Sequence, residues 1–446
     1  MTYEAFEAAV YAGAKAAGCG AAELYSIRRE NFSADILEGE VDRYSVSDTL
    51  SVGLRVQVEG KNGYACTEAL EDPETLVARA VENARLVESA DEQPLMGPCD
   101  YAPVTLPANP LTALSEVEKI RLAKDMEEEA RKADPRFLRV TACSVSSGKT
   151  VLRLSNSLGL SARRESTGGS VLVGAVLRDG EDMKEGYALR AGSLAGDWRG
   201  CAREAVAEAA AQCGAKPVAP GQYRVLLRRD AASDLLEAFF SLFSADAAQR
   251  GLSPLGEKLG ERIASDRVTL VDDPFAPWAP RAFDAEGVPS VRTTVVDRGV
   301  LKSLLHNLKT AKKAGVPSTS NASRGVGAPV EVGPSNLYLL PGKKTPEELE
   351  AALGDGLLIT EVSGLHAGVN AVTGEFSLLC KGFLVREGRR VRPIAQCTVG
   401  GSFFNVLQQV EEVGCDQLAQ QIGGGSVSSP SLLITGLVAG GKEEEQ

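Results

Sequence analysis

The sequence predicts an α+β protein: two similar helix–strands–helix lobes at the N-terminal end, followed by a β-rich C-terminal domain with few helices. Three observations predict it. The chain has 446 residues, too many for one ordinary core. Proline-dense stretches divide it. Beyond the second of these, alternating helix and strand periods give way to many short β-like segments between Gly, Pro and Asn turns. The expected divisions are a first lobe at 1–92, a Pro-rich linker at 93–112, a second lobe at 113–216 and the β-rich domain at 217–446.

The first helix starts at Thr2, a capping residue, and sets Tyr3, Phe6, Val10, Ala14 and Ala17 on one face before Gly18 and Gly20 stop it. Period-two segments follow at Ala22–Ile27, Phe32–Glu38 and Ser51–Glu59. Asp72-Pro73 then opens a helix that runs to about Glu88. Five prolines between Glu92 and Pro110 resist both helix and central strand, which marks an extended connection. Ser115 and Glu118 have capping-box spacing for a helix to about Lys132. Leu138–Ser146, Val151–Ser155 and Ser170–Leu177 read as strands, and Asp197 caps a helix that runs to about Gly214. Gly63-Tyr64-Ala65 and Gly186-Tyr187-Ala188 close the two strand regions alike, a weak internal repeat that chance could also produce.

Pro217 and Pro220 mark the next boundary. Tyr223–Leu227 reads as a strand and Leu235–Ser244 as a helix rich in Leu and Phe, which suits a core or buried interface better than a cofactor box. Short β segments follow at Arg267–Val271, Val291–Val296, Val300–Leu305, Asn336–Leu340, Leu357–Val362, Glu375–Val385, Ile394–Val399 and Ser431–Leu437. One helix interrupts them, capped by Thr345 with Pro346 and Glu348 and ended by Gly354.

Composition excludes several functions. The net charge of −12 disfavours nucleic acid as a direct partner. Only two histidines occur, His306 and His366, which weakens zinc-hydrolase and Ser-His-Asp readings. Nine dispersed cysteines without a CxxC pair read as free thiols in a reducing compartment. The N-terminus lacks a signal-peptide pattern and no apolar stretch is long enough for a bilayer, so a cytoplasmic protein without membrane contact is expected. The tail Lys442–Gln446 reads as a solvated end.

Individual residues carry weaker indications. His306 follows an apolar run and fits a core or turn position, whereas His366 is flanked by glycines that admit a close backbone approach. Asp272-Asp273-Pro274 reads as a strand end and turn. Gly400-Gly401 and Gly423-Gly424-Gly425 lack the strand and helix context of a nucleotide loop. Cys380 precedes Lys381, a cation that could lower its pKa, although a core thiol is the simpler reading.

The stretches Asp297–Asn307, Lys309–Lys313 and Ser318–Arg324 resemble the TldD/PmbA family. So do Val268–Pro274, Phe283–Pro289, Gly364–Asn370 with Thr373–Ser377, and Leu37–Glu40 through Gly63–Ala65. The resemblance covers nearly the whole chain and is more specific in its C-terminal half. It implies a relation to two subunits, a zinc peptidase with an HExxxH helix and a later cysteine ligand, and a PmbA/TldE partner without that motif. The corresponding helix here reads Leu236-Glu237-Ala238-Phe239-Phe240-Ser241, so Leu236 and Ser241 stand where imidazoles would be and only Glu237 keeps its type. Leucine cannot bind zinc and a serine hydroxyl is a poor ligand. The match of Cys415 to the ligand cysteine is open.

The resemblance therefore implies a PmbA/TldE-like subunit of a cytoplasmic metallopeptidase that acts on unfolded or extended peptides. It would have no catalytic residues of its own and no cofactor, zinc residing only in a TldD-like partner. Partners would be that subunit, a second copy, or both, and an extended peptide held by strand addition. Gly364, His366 and Asn370 are the first candidates for the peptide groove, and Asn307 and Asn321 the second. Two alternatives remain: a stand-alone hydrolase using Glu237, Asp272 or Cys380, and a non-enzymatic peptide-binding homodimer associating through Phe239, Phe240 and Phe243 or the β-rich domain. The family has also carried a gyrase-modulator label, to which the charge adds nothing about protein contacts.

Overall fold

The computed structural model describes residues 1–88, 93–417 and 425–441. The solvated tail and Gly423-Gly424 lie outside these residues. The chain is α+β, with helices concentrated in its N-terminal half.

The N-terminal half forms α1 (Tyr3–Ala16), β1 (Ala21–Leu37), β2 (Glu40–Val58), β3 (Lys61–Thr67) and α2 (Pro73–Leu86). It then repeats the order as α3 (Glu116–Ala133), β4 (Phe137–Asn156), β5 (Ser161–Asp179), β6 (Asp182–Ala191) and α4 (Trp198–Ala211). All six strands join one antiparallel sheet in the order β3-β2-β1-β4-β5-β6, with β1 and β4 paired at its centre. The two halves of the sheet are thus related by matching positions. Helices cover one face in two patches, α1 and α2 over β1–β3, and α3 and α4 over β4–β6.

The repeated Gly-Tyr-Ala triplets lie at matching places, Gly63 in β3 opposite Val56 and Gly186 in β6 opposite Ala175. A Cβ on Gly63 would stand 1.9 Å from the Ala80 carbonyl oxygen of α2. One on Gly186 would stand 2.3 Å from the Ala209 nitrogen of α4. Each helix closes onto its strand through the glycine, which gives the repeat a packing cause.

The helix starts follow their caps. The Thr2, Asp72 and Asp197 side chains each accept a backbone N–H of the first turn, and Ser115 and Glu118 complete a capping box. The strands depart from expectation. Ala22–Ile27 and Phe32–Glu38 are one continuous β1, and β2, β4 and β5 run 19, 20 and 19 residues. Their outer parts reach past the helices, so little alternation marks them; residues 40–46 of β2 are all exposed.

The Pro-rich segment has no strand and only a short 3-10 turn at Pro110–Ala113, but it is packed in place. Gln93 accepts from Arg55 and Tyr64, and Tyr101 donates to the Gly287 carbonyl at 2.9 Å with its ring 4.8 Å from that of Phe283.

The C-terminal half begins with β7 (Gly221–Leu227) and α5 (Arg229–Ala238). β7 lies between Gly356–Ser363 and Leu432–Gly440; Arg389–Ser402, Glu375–Arg386 and Val369–Asn370 continue the sheet outward. Pairing of Gly356–Ser363 with Glu375–Arg386 closes this sheet on itself. A second, five-stranded sheet contains Leu270–Asp272, Thr293–Asp297, Val300–Leu301, Asn336–Leu339 and Ser426–Ser428. The expected Leu235–Ser244 helix is instead the end of α5 and a separate 3-10 turn at Phe240–Phe243, because the chain leaves helical geometry at Phe239. That break lets Phe239 and Phe243 drive into the core, where Phe239 stacks on Phe403 at 4.7 Å. Both rings are fully buried within the chain, so they are not available to the homodimer contact expected from the sequence.

Candidate functional site

The helix matched to the metal motif is built for packing. Leu236 is 2% exposed inside the main core, while Glu237 and Ser241 are exposed. Leu236 and Ser241 also sit on different helical segments, on either side of the break at Phe239. Cys415 is an exposed thiol whose backbone N–H bonds the Lys344 carbonyl. Among the described residues no group of three or more His, Cys, Asp or Glu side chains is placed to hold a metal ion. The zinc implied by the resemblance therefore does not fit this helix. Its one strongly shifted acid is Asp234, pushed up to about 6 by burial and then by Asp230, Glu237 and Glu361.

Neither remaining member of the non-zinc hydrolase set is open to substrate. Cys380 is buried, and burial, with Cys397 opposite it across the sheet, pushes its thiol up to about 12, the reverse of activation by Lys381. Asp272 is 1% exposed; it accepts from Asn321 Nδ2 at 2.8 Å, from Ser335 Oγ at 2.5 Å and from the Ser335 N–H.

The five groove candidates separate. Gly364 has φ +86° and begins the short helix Leu365–Gly368, on which His366 is exposed. Asn370 is exposed on the outermost strand and folds a turn by accepting the Val372 and Thr373 N–H groups. Asn307 and Asn321 are buried. Asn307 caps the helix Leu308–Ala314, and Asn321 donates to Asp272 and the Gly333 carbonyl. His306 is also buried, which lowers its pKa.

None of these residues lines the cleft between the two halves of the chain. That cleft, about 460 Å³, lies between the face of the N-terminal sheet left bare by the helices and the C-terminal half. An apolar seam joins the two sides, with Tyr25, Ile27, Leu152 and Leu154 of the sheet against Phe283, Ala285 and Ala322. Beside it sits a buried ionic cluster. Glu23 pairs with Arg55 at 3.2 Å and Arg324 at 2.5 Å, all three side chains at most 4% exposed. The Arg324 guanidinium lies 4.3 Å from the Tyr25 ring centre. Asp284 accepts three backbone N–H groups, from Glu286, Val288 and Ala322. Glu286 accepts from the Leu308 N–H, and burial followed by the Asp284 charge pushes it up to about 8.

Sequence reading reached this cluster only through the stretches Val268–Pro274, Phe283–Pro289 and Ser318–Arg324, which fold against one another here. Arg324 entered only as the end of the stretch Ser318–Arg324, and the cleft arginines Arg29, Arg164 and Arg281 were missed, because an arginine in isolation reads as surface.

Models of three consecutive domains match the chain: PmbA/TldA metallopeptidase domain 1 at residues 22–84, the central domain at 109–212 and the C-terminal domain at 220–441. The metalloprotease PmbA of Escherichia coli O157:H7 is 26% identical over 431 residues, covering 93% of this chain and 92% of that one. The crystal structure of a candidate modulator of a DNA gyrase from Thermotoga maritima superposes with a TM-score of 0.88 at 32% identity, covering 98% and 100% of the two chains. TldE from Thermococcus kodakarensis gives 0.87 at 23% identity, covering 98% and 100%, a likeness of fold.

Proposed function

Because this chain belongs to the PmbA/TldD metallopeptidase family, we propose that it is the PmbA/TldE-like subunit of a cytoplasmic peptidase, with zinc carried by a TldD-like partner. The observation that carries the reading is Leu236: the residue that the resemblance sets at the first ligand position of the metal helix is a leucine packed in the core. Without a ligand set, the subunit's contribution is to hold an extended peptide. The sheet edge at Val369–Asn370, next to His366, supports that role, since main-chain pairing at an edge binds peptides with little sequence demand. Nine free thiols support a reducing compartment, and no helix among the described residues is long and apolar enough to cross a membrane. The test is to mix the chain with a TldD-like subunit and follow degradation of an unfolded polypeptide. Cleavage should rise well above that of either chain alone; additive rates would remove the reading.

A further inference from the structure

The cleft is chemically one-sided. Four arginines line it, Arg29, Arg164, Arg281 and Arg324, and among its described lining residues there is no carboxylate. The rest of the lining is largely glycine, hydroxyl and small apolar side chains, the hydroxyls including Ser166, Thr167, Ser170 and Ser323. This in a chain of net charge −12 calls for a cause.

The guanidiniums are under-used. Among the described residues, Arg164 donates to the Phe283 carbonyl at 3.2 Å and has no acid within ion-pairing distance. Arg281, 8% exposed, donates to the Ser320 carbonyl at 2.8 Å and leaves Nε without a partner. The Arg324 side chain, 3% exposed, donates through Nη1 to Glu23 and leaves Nε and Nη2 without partners. Unmet donors on buried cations are costly and are rare in finished cores. Charge points the same way. Arg55, Arg164, Arg281 and Arg324 are faced by Glu23, Asp272 and Asp284, while Glu286 is held largely protonated near neutrality. Arg281 also depresses the pKa of Arg164, after burial, so the two like charges are neighbours.

We propose that this cleft is a carboxylate-binding site in which Arg164 and Arg281 take the anion, Arg324 backs them and Arg29 stands at the exposed rim. Guanidiniums bind carboxylates through paired N–H donors, and the hydroxyls of Ser166 and Ser170 add neutral donors. The ligand is the C-terminal carboxylate of a peptide or that of a small free acid. The peptide form rests on the function proposed above; the anion site does not.

The test is calorimetric titration of the full chain at low salt with three probes: N-acetyl-pentaalanine with a free carboxylate, its C-terminal amide, and N-acetylalanine. The free acid should bind roughly tenfold or more tightly than the amide, the scale of one charge-assisted hydrogen bond. Arg164→Gln should erase that difference. Arg29→Gln, at an exposed position where folding is not at stake, should weaken the free acid and flatten its salt dependence. Equal binding of acid and amide would overturn the carboxylate site and leave the peptide reading standing. N-acetylalanine binding that depends on Arg164, with no added affinity for the longer peptide, would keep the site and remove the peptide form. No binding of any probe, or binding indifferent to both variants, would overturn the proposal.

Discussion

Glu23 is the residue on which the two halves of the molecule meet electrostatically. It lies in β1 and holds Arg55 of β2 and, 301 positions along the chain, Arg324. Truncating one partner of a buried ion pair strands the other charges, which costs about 3–5 kcal/mol. Glu23→Ala should therefore lower the unfolding free energy obtained from urea titration by an amount in that range, with cooperativity retained; a change below about 1 kcal/mol, as for an exposed pair, would show that the cluster is solvated.

Glu286 gives a pH signature at the same scale. Its folded pKa of about 8 exceeds the ordinary 4.5, so the folded state binds the proton more tightly. Stability from this group is thus greatest below pH 4.5 and falls as pH rises from about 4.5 to about 8. Glu286→Gln is nearly isosteric, keeps an acceptor for the Leu308 N–H and removes the titration. The thermal midpoint of the parent should fall more between pH 6 and pH 9 than that of the variant. Parallel curves would mean that Glu286 ionises normally.

Among elements, the helices with a cap and an acidic or proline first turn were legible, whereas α5, whose start has no side-chain cap, was expected to begin at Leu235 and begins at Arg229. Thr2, Ser115 with Glu118, and Thr345 with Glu348 all cap as their spacing implies. Strand lengths were not, since alternation exists only where one face is buried, and much of the first half of β2 meets solvent. The break after α5 was hidden for the opposite reason: a run in which every turn presents Leu or Phe gives no sign of where geometry changes. The repeated glycines were visible but ambiguous until α2 and α4 were seen pressed against them. Gly63→Ala and Gly186→Ala should each destabilise by about 1–3 kcal/mol through overpacking against helix backbone. Gly168→Ala, in β5 with open space at its Cβ, should cost less; equal losses at all three would remove the close-approach account.

For the whole molecule, the α+β class and the family were readable from pattern and motif, while the cleft was not. Its arginines come from β1, β5 and two C-terminal loops, and what makes them a site is that they converge while, among the described residues, only Arg324 of the four is paired with an acid, Glu23. Such a pairing deficit is a property of the folded chain and leaves no local trace in sequence. Leu236 is the reverse case: the resemblance set it against a ligand position of the metal motif from sequence alone, and the structure adds that its side chain is buried in the core. On the function proposed above, this chain holds no zinc site of its own. Elemental analysis of the purified chain, alongside cleavage of an unfolded polypeptide by the chain alone, tests it most directly. Substoichiometric zinc and no cleavage above background are expected; one zinc per chain, with sustained cleavage abolished by a chelator, would overturn the proposal.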